Sequence, residues 1–167
     1  MLKSKPPDCS PSGNIKKYLS YREAWARIKE SQQQGFYLEA VTLIESIISD
    51  RLTSYLTSAQ FIKSNPKPGK HLSFSDLIKR WKEKGASSIA DSSGLSNLQN
   101  AVDSWRLSRN KIVHGMVRSH PDLQIDDVES FLEKARESAA IGEKLARAVD
   151  KWCKQAKKEA KATMRGE

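Results

Sequence analysis

Cysteine is nearly absent from this chain: Cys9 and Cys153 are the only two in 167 residues. One lies in a Pro/Ser-rich stretch and the other on a late helix, so they make no disulfide framework, and that usage suits a reducing cytoplasm. A single domain of this length buries a sufficient core without one. Long apolar runs are missing as well. The opening MLKSKPPDCSPSG has no apolar stretch of the secretory kind, and nothing approaches the roughly 18 apolar residues of a membrane span. The expectation is a cytoplasmic protein with no membrane contact. Glycines number 8 and prolines 6, and neither period-two alternation nor an internal repeat is visible, which argues against sheets and solenoids. The chain also lacks a phosphate-binding glycine loop, a nucleophile elbow and an HExxH pair, so kinase, serine-hydrolase and metalloprotease chemistry have no residues to rest on. His71 and His120 lie beside loop segments, far from both cysteines, and offer no zinc-ligand spacing. No metal or cofactor is expected.

Positive charge is what the chain has in excess. Lysine and arginine total 29 against 20 aspartates and glutamates, a formal net charge of +9. Such a surplus favours a polyanionic partner, either nucleic acid or an acidic protein. Much of it sits in KWCKQAKKEAKATMRGE, Lys151 to Glu167, so a basic tail explains the number equally well. Lys63, Lys67 and Lys70 edge a Pro-rich loop and read as solvated rather than as guides for a phosphate chain.

Apolar spacing predicts five helices. Residues 1–14 are Pro/Ser-rich and read as a disordered tail. Ser20 with Glu23 forms a capping-box pattern ahead of Tyr21, Ala24, Trp25 and Ile28, and Gly35 closes that helix. The second helix, FYLEAVTLIESIISDRLTSYL, has a wide apolar face of Ala40, Leu43, Ile44, Ile47, Ile48 and Leu52, the mark of the most buried helix in a bundle. SNPKPGKHLS is a loop. FSDLIKRWKEKG is a short helix with Phe74, Leu77, Ile78 and Trp81 inward. A fourth helix runs from about Leu95 to Gly115. A fifth runs from about Asp126 past Trp152 with Val128, Phe131, Leu132, Ala135, Ala139, Leu145, Val149 and Trp152 on its inner face. The fold expected is an all-α up-and-down bundle over residues 15–155, followed by a basic tail at 156–167, with Leu43, Ile44, Ile47, Trp105, Ile112, Phe131 and Leu132 in one core. Trp25, Trp81, Trp105 and Trp152 all fall on apolar faces, which favours packing over base stacking.

The segment SWRLSRNKIVHG, Ser104 to Gly115, departs from this pattern. Leu98, Val102, Trp105 and Ile112 share one narrow stripe, and Arg109 falls in its middle. A guanidinium stays charged at neutral pH, so a buried position requires an anion or a strongly polar partner. Glu39 and Glu45 of the second helix could approach it; carboxylates of this kind are commonly solvated or paired with a nearby arginine, and no catalytic role is assigned to them. Asn110 and His114, four apart, share a flank of the same helix. The polar heads of Arg109, Asn110 and His114 converge if the last turn loosens at Gly115, which can take positive φ. A fixed cation, an amide and a group titrating near neutrality suffice for metal-independent RNA cleavage, in which the 2′-OH attacks the adjacent phosphate. A plainer reading is that His114 and Lys111 complement the helix dipole. That reading leaves Arg109 unexplained.

Arg109-Asn110-Lys111-Ile112-Val113-His114 resembles the R-x4-6-H motif of HEPN-domain proteins, with the polar residue after the arginine and a glycine after the histidine also present. The resemblance covers roughly Ser20 to Trp152, with motif support confined to Arg109–Gly115. It implies a helical bundle that dimerises with its two motifs facing each other, forming a composite metal-independent endoribonuclease site that yields a 2′,3′-cyclic phosphate. His114 would be the acid/base group, Arg109 the phosphate-binding and charge-stabilising group, and Asn110 the orienting residue. Many such proteins are toxins or phage-defence effectors, often restrained by a nucleotidyltransferase-type antitoxin. Others are catalytically silent modules for dimerisation or protein binding, and a basic helical DNA-binding protein is a further alternative.

Overall fold

The structure, a computed structural model, describes residues 13–62, 72–85, 92–115 and 128–163. Within them lie five helices and no strand: α1 (Gly13–Gln33), α2 (Tyr37–Ser58), α3 (Phe74–Gly85), α4 (Ser92–Gly115) and α5 (Val128–Thr163). The fold is an all-α bundle of five helices, as the periodicity predicts. Cys9, Lys63, Lys67, Lys70, His71 and His120 lie outside the described residues.

Helix α2 occupies the centre, packed against α1, α3 and α5. Its wide apolar face puts Ala40, Val41, Ile44, Ile48, Leu52 and Leu56 out of contact with solvent. Gly35 takes φ +78 in the turn from α1 to α2, a conformation that costs a glycine little. Around α2, Trp81 and Trp105 are core residues, with Trp25 and Trp152 partly buried against the same core. The four indoles thus serve packing.

Two helix ends differ from the local signals. α1 begins at Gly13, so the Ser20–Glu23 pattern lies inside it. The helix is tied to α2 both before and within that pattern: Lys17 Nζ donates to Asp50 Oδ1 at 3.2 Å, and the Tyr21 hydroxyl donates to Asp50 Oδ2. A functioning capping box opens α3 instead. There the Ser73 hydroxyl accepts the Asp76 N–H at 3.1 Å and Asp76 Oδ2 accepts from both Ser73 N and Oγ, with aspartate in the role usually taken by glutamate.

Of the expected core, Ile44, Ile47 and Trp105 belong to the central cluster, Leu43 packs against it, and Ile112 is buried. Val128 and Leu132 do not: they are 72% and 43% exposed, and Phe131 is only partly buried. The reason lies in where α1 stops. Gln32 Nε2 donates to Glu143 Oε2 at 2.8 Å and α1 ends at Gln33, so among the described residues α1 does not reach the flank of α5 preceding Glu143.

Helix directions follow from paired contacts. Gln99 Nε2 donates to the Trp81 carbonyl at 2.8 Å, and the Trp81 ring lies 5.3 Å from that of Trp152. Six residues later on α4, Trp105 Nε1 donates to the Ser138 carbonyl at 2.8 Å. Moving forward on α4 therefore moves backward on α5. This antiparallel pairing carries Arg109 and His114 to the end of the bundle formed by the first turns of α5.

Candidate functional site

The position of Arg109 is set by a close approach one turn earlier. A Cβ added to Gly142 of α5 would sit 2.6 Å from Trp105 Cζ2 and 2.8 Å from Nε1, so the nitrogen-bearing edge of the Trp105 indole lies against glycine backbone. Trp105 locks α4 onto α5 and presents the next turn of α4 toward α2. Arg109 meets Glu45 there. Its Nη2 lies 2.5 Å from Glu45 Oε2, with the side chains 18% and 21% exposed, and its Nη1 donates to Asn110 Oδ1 at 2.8 Å. The Glu45 contact is a charge pair without good hydrogen-bond alignment, since Glu45 Oε2 and Arg109 Nε find no hydrogen-bond partner. The buried-stripe position of Arg109 is thus explained within one chain.

The structure brings Arg109 and Asn110 together and adds Glu45. His114 stands apart from them. It is exposed in the last turn of α4, about 6 Å along the axis from Asn110 at 1.5 Å per residue, and no hydrogen bond joins it to either residue among those described. The loosening expected at Gly115 is not observed: α4 continues through that residue, and its φ is outside the positive range. His114 is therefore aligned with the helix dipole and open to solvent. The sequence puts Glu45 within reach of the motif but assigns it no role. What decided its part was the packing of α2 and α4 on the shared neighbours α3 and α5, which brings Glu45 to Arg109.

A second polar cluster joins α1, α2 and α5, and only the inward position of Tyr21 hinted at it. Arg51 Nε lies 2.6 Å from Asp150 Oδ1, and its guanidinium carbon lies 3.9 Å from the centre of the Tyr21 ring. Burial, then the hydrogen bond to Asp50, pushes the Tyr21 hydroxyl well above its ordinary range. Burial works to raise the Asp50 carboxyl, but hydrogen bonds from Tyr21 and Lys17 outweigh it and hold that group below the usual carboxylate range. Burial also pushes the Cys153 thiol up to about 12, which leaves it un-ionised and inert as a nucleophile at neutral pH. Every anion in the cluster has a cation against it, so the cluster is a structural clamp. A cleft between α1 and α2 borders it, lined in part by Lys17, Tyr21, Ser46 and Asp50, and Lys17 is already engaged by Asp50.

Among the described residues no three His, Cys, Asp or Glu side chains gather as a metal site requires, and no helix is long and apolar enough to cross a membrane. Compared with protein-family models, curated proteins and solved structures, the chain matches none.

Proposed function

We propose that the chain is a metal-independent endoribonuclease of HEPN type, acting as a toxin or defence effector. The observation that carries this reading is a solvent-open His114 five residues beyond an arginine whose guanidinium is oriented by two neighbours, Glu45 and Asn110. In the reaction the 2′-oxygen forms a bond to phosphorus as the bond to the 5′-oxygen breaks. One proton leaves the 2′-OH and one reaches the departing 5′-oxygen. His114 carries the proton transfer, Arg109 steadies the extra charge on phosphorus, and Asn110 holds Arg109. Glu45 adds a positioning role. Two copies facing across a two-fold axis would supply two His114 rings, one as base and one as acid, and a nucleotidyltransferase-type antitoxin would restrain such an enzyme.

The test is incubation of purified protein with total RNA in EDTA, wild type against His114→Ala. Cleavage should leave 2′,3′-cyclic phosphate ends and fall by about two to four orders of magnitude in the variant, with melting unchanged because the ring is exposed. Equal cleavage by both proteins, or none by either, rules the site out.

A second reading draws on the same ion pair. A guanidinium neutralised within its own chain has less charge to offer a phosphate, which favours a catalytically silent HEPN-like module for dimerisation or protein binding. Absence of cleavage together with a stable dimer would select it.

A further inference from the structure

The solvent face of α5 carries Lys144, Arg147, Lys151, Lys154 and Lys158. They are spaced three, four, three and four residues apart, which keeps them on one side of a helix for about 21 Å at 1.5 Å per residue. All five are exposed, opposite the buried Ala146, Val149, Cys153 and Ala156. Two of them are neutralised: Arg147 grips Glu143 through Nε at 3.1 Å and Nη2 at 2.7 Å, and Lys154 Nζ lies 2.7 Å from Asp150 Oδ2. Lys144, Lys151 and Lys158 pair with no acid among the described residues. On the same face, Glu133 and Glu137 precede Lys144, so the unbalanced charge begins at Lys144.

Helix α1 adds to this row from the side. The Arg147 guanidinium carbon lies 4.3 Å from the centre of the Trp25 ring, so the Trp25 edge of α1 runs beside α5. Arg22 and Lys29, three before and four after Trp25, share that edge and are exposed. The acids of this stretch, Glu23 and Glu30, fall on the far side of α1. Cations crowded without counter-charges raise the local potential, and a polyanion relieves it while releasing condensed counterions.

We propose that this row on α5, with Arg22 and Lys29 beside it, is a binding track for the phosphate backbone of RNA. The choice of RNA among polyanions rests on the ribonuclease reading. Contacts from lysine stems to phosphate are sequence-independent, and Trp25, partly buried with Arg147 over its face, is not free to stack a base. The track is remote from His114. Trp105 is level with Ser138; His114 lies nine residues beyond Trp105 on the side away from Lys144, which lies six beyond Ser138. At 1.5 Å per residue the separation along the bundle is about 22 Å. A strand must extend across that interval to touch the track and His114 together.

The experiment uses the full chain with Lys144→Gln, Lys151→Gln and Lys158→Gln combined, in a His114→Ala background so that bound RNA is not cut. Anisotropy titrations with a labelled single-stranded RNA long enough to cover α5 are repeated over a salt series. Affinity should fall at least about tenfold at low salt, and the log–log salt slope should shrink by about two, because each of three lost phosphate contacts contributes about 0.7. A matched triple at exposed Lys16, Lys79 and Lys84 removes the same charge elsewhere and should retain most of the affinity. Unchanged binding by the α5 triple, an equal loss in the matched triple, or a preference for duplex DNA over RNA would each overturn the track. Binding is read without cleavage, so the two ideas fail separately. A chain that binds RNA through α5 and never cuts it ends the ribonuclease reading alone, while cutting by a His114-intact α5 triple with undiminished affinity for long RNA ends the track alone.

Discussion

Arginine at position 109 occupies a place that the spacing of Leu98, Val102, Trp105 and Ile112 reserves for an apolar side chain. The pair with Glu45 makes it tolerable, and the pair is also where the residue can be tested. Glu45→Leu should destabilise the fold by about 1–3 kcal/mol, because it leaves a largely buried guanidinium without its counter-charge. Arg109→Leu should cost a similar amount by stranding the carboxylate. The double variant Glu45→Leu/Arg109→Leu should recover most of the loss, since replacing a buried pair by apolar groups removes both desolvation costs. Urea unfolding of the four proteins gives the coupling. Additive losses would mean that the pair contributes nothing. The oddity of Arg109 is readable in a helical wheel, but Glu39 and Glu45 are equal candidates there. Choosing between them takes the way α2 and α4 are set against their shared neighbours α3 and α5.

On the level of helices, Gly142 decides how closely α4 and α5 approach. In isolation, glycine within a helix is about 1 kcal/mol worse than alanine, so Gly142→Ala should stabilise a helix with room for a methyl group. Here the added Cβ would lie 2.6 Å from Trp105 Cζ2. The expected outcome is a loss of about 1–3 kcal/mol from overpacking, seen as a lower melting temperature with a shifted Trp105 emission. A rise in melting temperature would remove the argument that this contact positions Arg109. Elements also show where local signals mislead. Ser20 and Glu23 satisfy a capping pattern, yet contacts of Lys17 and Tyr21 with Asp50 tie α1 to α2 before and within it, and the helix begins at Gly13. Conversely, α5 continues through Thr163, with Ala156 buried and Lys157 Nζ donating to Ser54 Oγ at 2.7 Å. The first part of the basic C-terminal run is thereby a docked helix.

For the molecule as a whole, inter-helix carboxylates set the response to acid. The Lys82 hydrogen bond, against some desolvation, holds Asp103 below the usual range. At Glu143, burial works upward but hydrogen bonds from Arg147 and Gln32 outweigh it, as those from Tyr21 and Lys17 do at Asp50. A carboxyl whose folded pKa is depressed binds its proton more readily when unfolded. It therefore adds stability that is fully present above the unfolded value, near 4, and is lost as pH falls through the folded value. Stability should be flat between about pH 5 and 8 and decline below about pH 4, the more so because protonation adds to a net charge already at +9. Asp50→Asn should shrink the decline. Melting curves across this range provide the check, and an acid response identical in wild type and Asp50→Asn would show that the α1–α2 clamp plays no part.

Period and punctuation are local properties, and by themselves they determined the number of helices, the inward faces of α2 and α3, and the placement of Arg109 on a stripe it does not match. Each depends on residues within a few positions of one another, where 3.6-residue geometry acts without reference to the rest of the chain. Only the tertiary structure decided that Glu45 receives Arg109, that Gly142 receives Trp105, that Leu132 and Val128 stay exposed, and that Trp25 places Arg22 and Lys29 beside the lysines of α5. Those outcomes depend on which helices are neighbours, in which direction they run and where each stops. Residues far apart in the chain meet through packing, and packing leaves no periodic trace in either partner's sequence.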